Sequence, residues 1–149
     1  IGSNPILSAI LCLSYKYVMN FANDIKLKEQ HVKLVQLVND LVDTAKTCTN
    51  EDSYKLIPKL AIFAVYLERH FQYENALMLE NNVSSYVQHK ELHRHFLTII
   101  HNMYEKSLRD PTGIRDTVGV LSNGITNHMA VEATMFSELD DHYHHAEMA

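Results

Sequence analysis

Apolar residues recur at three- and four-residue steps along four stretches of this chain, the pattern of helices that each bury one face. In the first, Leu27, His31, Leu34, Val38, Leu41 and Ala45 form one stripe, and Lys26, Lys33, Gln36, Asn39 and Asp43 fall opposite. Asn23 or Asp24 can cap this helix, which should end near Thr47. After polar residues at 49–53, a second helix runs to about Asn81, with Phe63, Leu67, His70, Glu74 and Leu77 facing inward. Pro58 must lie near its first turns or bend it there, because proline lacks a backbone donor. Asn81, Asn82 and Ser84 then break the chain before a third helix, from about Ser85 to Leu108, with Tyr86, His89, His93, Phe96, Ile100 and Met103 on its stripe. Asp110-Pro111-Thr112-Gly113 is the next loop, with Thr112 as candidate cap. The fourth helix carries Ile114, Val118, Leu121, Ile125, His128, Glu132, Met135 and Leu139 and should end near that last residue. Gly119 and Gly124 weaken it by up to about 1 kcal/mol each relative to alanine.

Four helices of similar length, short connections and one inward stripe apiece predict an all-α, up-down-up-down four-helix bundle with an additional N-terminal segment. The expected division is a segment at 1–22 packing on the bundle, the bundle at 23–139, and a frayed polar tail at 140–149. Ile6 to Phe21 is compatible with a short helix that covers a side or end of the bundle, or alternatively pairs with another chain as a homodimer. The apolar run from Ile6 to Met19 is shorter than the roughly 20 residues of a membrane span and contains Lys16. It has neither a basic flank nor a small-residue cleavage site, so neither a span nor a signal peptide is expected. The sequence opens on Ile1 rather than methionine, which fits a piece of something longer or a processed chain.

Composition narrows the function. The chain has 149 residues, enough for one domain with its own core, and 46% of them are hydrophobic. The net charge of −5, with no basic patch interleaved with aromatics, argues against nucleic acid as a partner. Cys12 and Cys48 lack paired spacing and read as free thiols in a reducing cytoplasm. No serine or cysteine nucleophile motif and no glycine-rich phosphate loop is present, which excludes the common hydrolase and nucleotide-binding classes.

Histidine is the outlier, with ten copies. His70 and Glu74, His89 and His93, and His128 and Glu132 are each four residues apart, so each pair shares one helix face about a turn apart. With His31 they place seven polar side chains on inward seams, where an unsatisfied polar group costs on the order of 1–3 kcal/mol. Any one alone is more often a hydrogen-bonded core residue, as a lone His31 would be. Seven together ask for a shared partner. Five imidazoles and two carboxylates overfill a tetrahedral zinc site. They suit two first-row ions bridged by the carboxylates, with one coordination position left over. His95 and His101 fall off the third stripe and should be solvated, and His142, His144 and His145 form a solvated terminal cluster.

The segments E-Q-H-V-K-L at 29–34, Y-L-E-R-H-F-Q-Y-E-N-A-L-M at 66–78, H-K-E-L-H-R-H-F at 89–96 and N-H-M-A-V-E at 127–132 closely resemble the hemerythrin family, bacterial hemerythrins in particular. The resemblance covers about residues 25 to 139. It implies two non-haem iron ions joined by an oxo or hydroxo group: His89, His93 and His128 on the first, His31 and His70 on the second, and Glu74 bridging. Dioxygen would bind at the one open position on the second iron.

Several positions depart from the family pattern. Its second bridging acid, an aspartate, usually stands five residues after the last histidine, where this chain has Ala133, and the acid here is Glu132. Five residues advance about 500°, roughly 140° away from the histidine's direction, while four stay within about 40°. Glu132 is therefore chosen as the second bridge. Gly124 replaces a tryptophan often found before the last histidine, which could leave room for a ligand. Asn75 replaces the second acid of a pair on the second helix, and Lys28 a frequent aspartate.

The function expected from this resemblance is reversible dioxygen binding in an oxygen- or redox-sensing module, not an enzyme, with a fused or partner signalling domain. The preference for sensing rests on the extra N-terminal segment and the start without methionine. An oxygen carrier or storage protein is the near alternative, and a ferroxidase- or peroxidase-type enzyme the next. Oxidase bundles use Glu-x-x-His pairs and more carboxylates than the two found here. A metal-free interaction module is the third class, and it would have to satisfy seven buried polar groups in another way.

Overall fold

The structure is a computed structural model that describes residues 24–148, with side chains through Met135. The N-terminal segment at 1–22 and Cys12 lie outside the described residues. Helix α1 spans Ile25–Thr47, α2 Leu56–Glu80, α3 Tyr86–Arg109 and α4 Ile114–Met148, with 3-10 turns at Ser53–Lys55 and Pro111–Gly113. No strand occurs among the described residues. Around the bundle α1 packs on α2 and α4, and α3 on α2 and, more sparsely, on α4.

Local chemistry sets the ends. Asp24 caps α1 by accepting from the Leu27 amide at 2.8 Å, and the same carboxylate accepts from the Tyr73 hydroxyl of α2 at 3.0 and 3.1 Å. Pro58 is the third residue of α2, where no intrahelical donor is lost. That helix ends in a Schellman motif. Asn82 adopts φ 51°, the Val83 amide reaches back to the Met78 carbonyl at 3.0 Å and the Asn82 amide to Leu79 at 3.2 Å. Val83 and Met78 then bury against each other, as that motif favours. At the last loop the cap is Asp110 rather than Thr112: its carboxylate accepts from the Thr112 amide at 3.1 Å. Helix α4 continues to Met148, past the end expected at Leu139. No glycine or proline follows Gly124 before that point, so nothing local stops it.

Most of the predicted stripe positions are buried, while Ala45, Leu77, Tyr86, Phe96, Met103 and Met135 are half-buried and the Leu139 side chain lies outside the described residues. Leu34, Val38 and Leu41 of α1, Leu60, Phe63, Leu67 and Phe71 of α2, Ile100 of α3, and Val118, Leu121 and Ile125 of α4 form the main core. A smaller cluster of Leu27, Met78 and Val83, with Tyr86 and Met135 packed against it, closes the opposite end. Along every helix the seven polar seam residues fall between these two clusters.

Gly124 does not leave room for a ligand. A Cβ there would lie 2.8 Å from Phe96 Cε2 and 2.9 Å from Cζ, so the Phe96 ring fills the space. Open volume near the seam lies instead in a groove of about 520 Å³ between α3 and α4, lined by Gln88, His89, Leu92, Ala130, Val131 and Met135 among others. Gly124→Trp is accordingly expected to destabilise the bundle by about 1–3 kcal/mol in urea unfolding, the usual cost of overpacking. Phe96→Ala in the same chain should recover part of that loss, because it vacates the space the indole needs.

Candidate metal centre

All seven side chains singled out from the sequence converge between the two apolar clusters. His70, Glu74, His89, His93 and Glu132 are buried, while His31 and His128 keep 22% and 10% side-chain exposure. Each imidazole turns Nε2 toward the two carboxylates. Glu132 lies 2.7 Å from His31 through Oε2 and contacts His128 through Oε1. Glu74 lies 2.7 Å from His89 through Oε1, and 3.2 Å from His70, 3.6 Å from His128 and 3.8 Å from His93 through Oε2. Oε1 of Glu132 also stands 3.8 Å from His70 and 3.9 Å from His89.

These atoms divide into two sets, each within 4.8 Å of one another: Glu74, His89, His93, His128 and Glu132, and His31, His70, Glu74 and Glu132. Both carboxylates belong to both sets. Of the two positions weighed, Glu132 faces the cluster and is 1% exposed, whereas Ala133 faces solvent.

The centre is electrostatically incomplete on protein atoms alone. Nε2 of His31, His70, His93 and His128, Oε2 of Glu74 and both oxygens of Glu132 are buried without a hydrogen-bond partner. Burial alone would raise the Glu74 carboxyl, yet His128, His70 and His89 hold it far below the usual carboxylate range. Glu132 is likewise lowered, chiefly by His128 and His31 against the effect of burial. Burial opposes charge on His128, but Glu132 and Glu74 outweigh it and push the imidazole up to about 9; His70 is raised for the same reasons. His93, which burial dominates, is pushed down to about 3. Two carboxylates surrounded by imidazoles demand positive charge, which either protons or cations can supply. Orphaned, convergent nitrogen and carboxylate donors fit first-row cations.

Gln30 and Phe71 escaped the sequence reading, and Asn75, noted there only as a replaced acid touching no proposed ligand, does contact one. Gln30 Oε1 accepts from His70 Nδ1 at 3.0 Å, and Asn75 Oδ1 from His93 Nδ1 at 2.8 Å. Phe71 stacks on the His93 ring with centroids 3.8 Å apart and planes 8° from parallel. Each adjoins a seam residue in sequence, which was the available signal. His95 and His101 are exposed, as expected, and Cys48 is a buried free thiol. The side chains of His142, His144 and His145 lie outside the described residues.

A helical bundle with a histidine–carboxylate centre of this kind is a cation-binding domain in architecture. The family model of the hemerythrin HHE cation binding domain matches residues 25–147, and the chain belongs to that family. No curated protein and no solved structure gives a significant match. None of the helices among the described residues is long and apolar enough to cross a membrane.

Without metal, the protein is expected to be most stable near pH 6.5. The His128 contribution, on the order of 3 kcal/mol, is fully present below 6.5 and is lost as pH rises through about 9. Toward acid, His93 must charge where burial resists it, so stability falls between 6.5 and about 3, and protonation of Glu74 and Glu132 adds to the loss below 4.5. Urea unfolding across this range checks the shape. Metal loading should flatten the alkaline limb, because bound histidines are neutral already.

Proposed function

We propose that this domain holds two iron ions, binds dioxygen reversibly at the one coordination position left open, and serves as an oxygen- or redox-sensing module in the cytoplasm. The observation that carries the reading is the pair of ligand sets sharing Glu74 and Glu132. His89, His93 and His128 would hold one ion and His31 and His70 the other, with the two carboxylates spanning both. When bound, the iron pair supplies the electrons that dioxygen takes up on binding and returns on release.

The chain's own residues do the rest. With three histidines and two shared carboxylates, one ligand set offers one more donor than the other, so the open position belongs to the His31–His70 side. Leu34, Leu67, Phe71 and Ile125 on one side and Leu27, Met78 and Val83 on the other exclude water. Exclusion of water slows the escape of charged reduced oxygen, which favours release as dioxygen. Five imidazoles against two carboxylates give the centre little anionic charge with which to stabilise highly oxidised iron, which favours binding over oxidase chemistry. The sensing role draws its support from the apolar sequence at 6–21 ahead of the bundle.

Anaerobic loading with ferrous iron, exposure to air, then removal of oxygen tests the reading. The expected result is a charge-transfer spectrum that appears with oxygen and disappears without it over repeated cycles. Sustained turnover of peroxide would indicate the enzyme class instead, and a chain that takes up no iron would indicate an interaction module.

A further inference from the structure

We propose that Gln30 and Asn75 are positioning residues for the centre: as neutral amides they accept hydrogen bonds from Nδ1–H of His70 and His93, leave Nε2 bare for metal, and keep the iron pair easier to reduce than carboxylate partners would. The redox half of this rests on the di-iron reading; the orienting half does not. One amide serves each ligand set, at 3.0 Å for Gln30 and 2.8 Å for Asn75. Each reaches from one helix to the next, Gln30 from α1 to α2 and Asn75 from α2 to α3.

The geometry has a definite chemical consequence. A neutral imidazole carries one ring proton, and the nitrogen that holds it cannot bind a metal. With the amide oxygen toward Nδ1, that proton sits on Nδ1 and the lone pair on Nε2. Were the amide turned over, its NH2 would donate to Nδ1 and the proton would sit on Nε2, facing the carboxylates and blocking the metal-facing atom. Nε2 of His93, whose ring burial keeps neutral, is buried without a hydrogen-bond partner, as a bare ligand atom would be. For His93 the Phe71 stack fixes the ring plane, and the Asn75 bond selects between its two flips.

Charge is the second consequence. A carboxylate acceptor pulls the Nδ1 proton toward itself, makes the imidazole a stronger donor and so stabilises oxidised iron. An amide does so far less. Asn75 is neutral and is the acceptor at His93, so this site should favour the reduced pair.

Nitrogen NMR of the metal-free, histidine-labelled protein reads the tautomer directly. The wild type should carry the His93 proton on Nδ1, and Asn75→Leu should lose that preference. A wild-type proton on Nε2 would overturn the proposal, whatever the chain does with iron. In the iron-loaded protein, Asn75→Asp should shift the balance toward the oxidised pair on the order of tenfold, about 59 mV for a one-electron step. Asn75→Leu should weaken iron binding by roughly 10–100-fold without that shift. A midpoint unmoved in Asn75→Asp contradicts the charge argument. A chain that shows the Nδ1 proton but binds no iron sinks the di-iron reading and upholds the orienting role.

Discussion

Glu132→Ala is expected to cut iron uptake from two ions per chain to one at most, and to abolish the oxygen-dependent spectrum. Glu132 is in both ligand sets, so its removal takes a donor from each. The metal-free protein should suffer as well. His31 and His128 lose the carboxylate they face, which stands 2.7 Å from His31. A broken buried ion pair costs about 3–5 kcal/mol, and the lower end, about 3, is expected because the stranded His128 imidazole can shed its proton. Iron analysis and urea unfolding measure the two effects. Adding Ala133→Asp to the variant should restore neither, since position 133 faces solvent. Full recovery by that second change would mean that the helix can rotate its seam and that Glu132 is not the bridge.

Phe71→Ala is expected to lower stability by about 3–5 kcal/mol in urea unfolding. Phe71 is 1% exposed and belongs to the main core. Its ring stacks on His93 and meets His128 edge-on at 5.0 Å, so it joins the apolar layer to the metal-facing one. Two consequences should therefore travel together: the lost stability, and weaker iron binding as the His93 ring gains freedom. Phe63→Ala, equally buried but with no ring contact to a seam histidine, is the control. It should lower stability comparably while sparing iron affinity once the protein is folded. Equal loss of affinity in both variants would mean that the stack has no special part in holding the site.

The seam residues were legible because helical periodicity and ligand spacing coincide. His70 with Glu74 and His128 with Glu132 mark both a buried face and a chelating pair, so one pattern reports fold and chemistry together. That position 132 rather than 133 faces inward was legible for the same reason, since an angular argument along one helix needs no knowledge of its neighbours. What escaped depends on contacts between helices. Gln30 and Asn75 sit beside the stripes, and only the packing of α1 on α2 and of α2 on α3 shows which ring each one meets. The space at Gly124 was misjudged on the same ground: the chain shows a missing side chain, but not that Phe96 of α3 occupies its place. The end of α4 was placed at the end of its apolar stripe. Local hydrogen bonding alone carries a helix past its buried face where no glycine or proline intervenes.

Anaerobic titration of the metal-free protein with ferrous iron, followed by direct metal analysis, tests most directly whether seven side chains from four helices hold a pair of ions. Uptake should saturate at two equivalents per chain, and should fall to one or none when Glu74 or Glu132 is replaced. Saturation at a single equivalent in the unaltered protein, or uptake indifferent to both carboxylates, would contradict a shared two-ion centre.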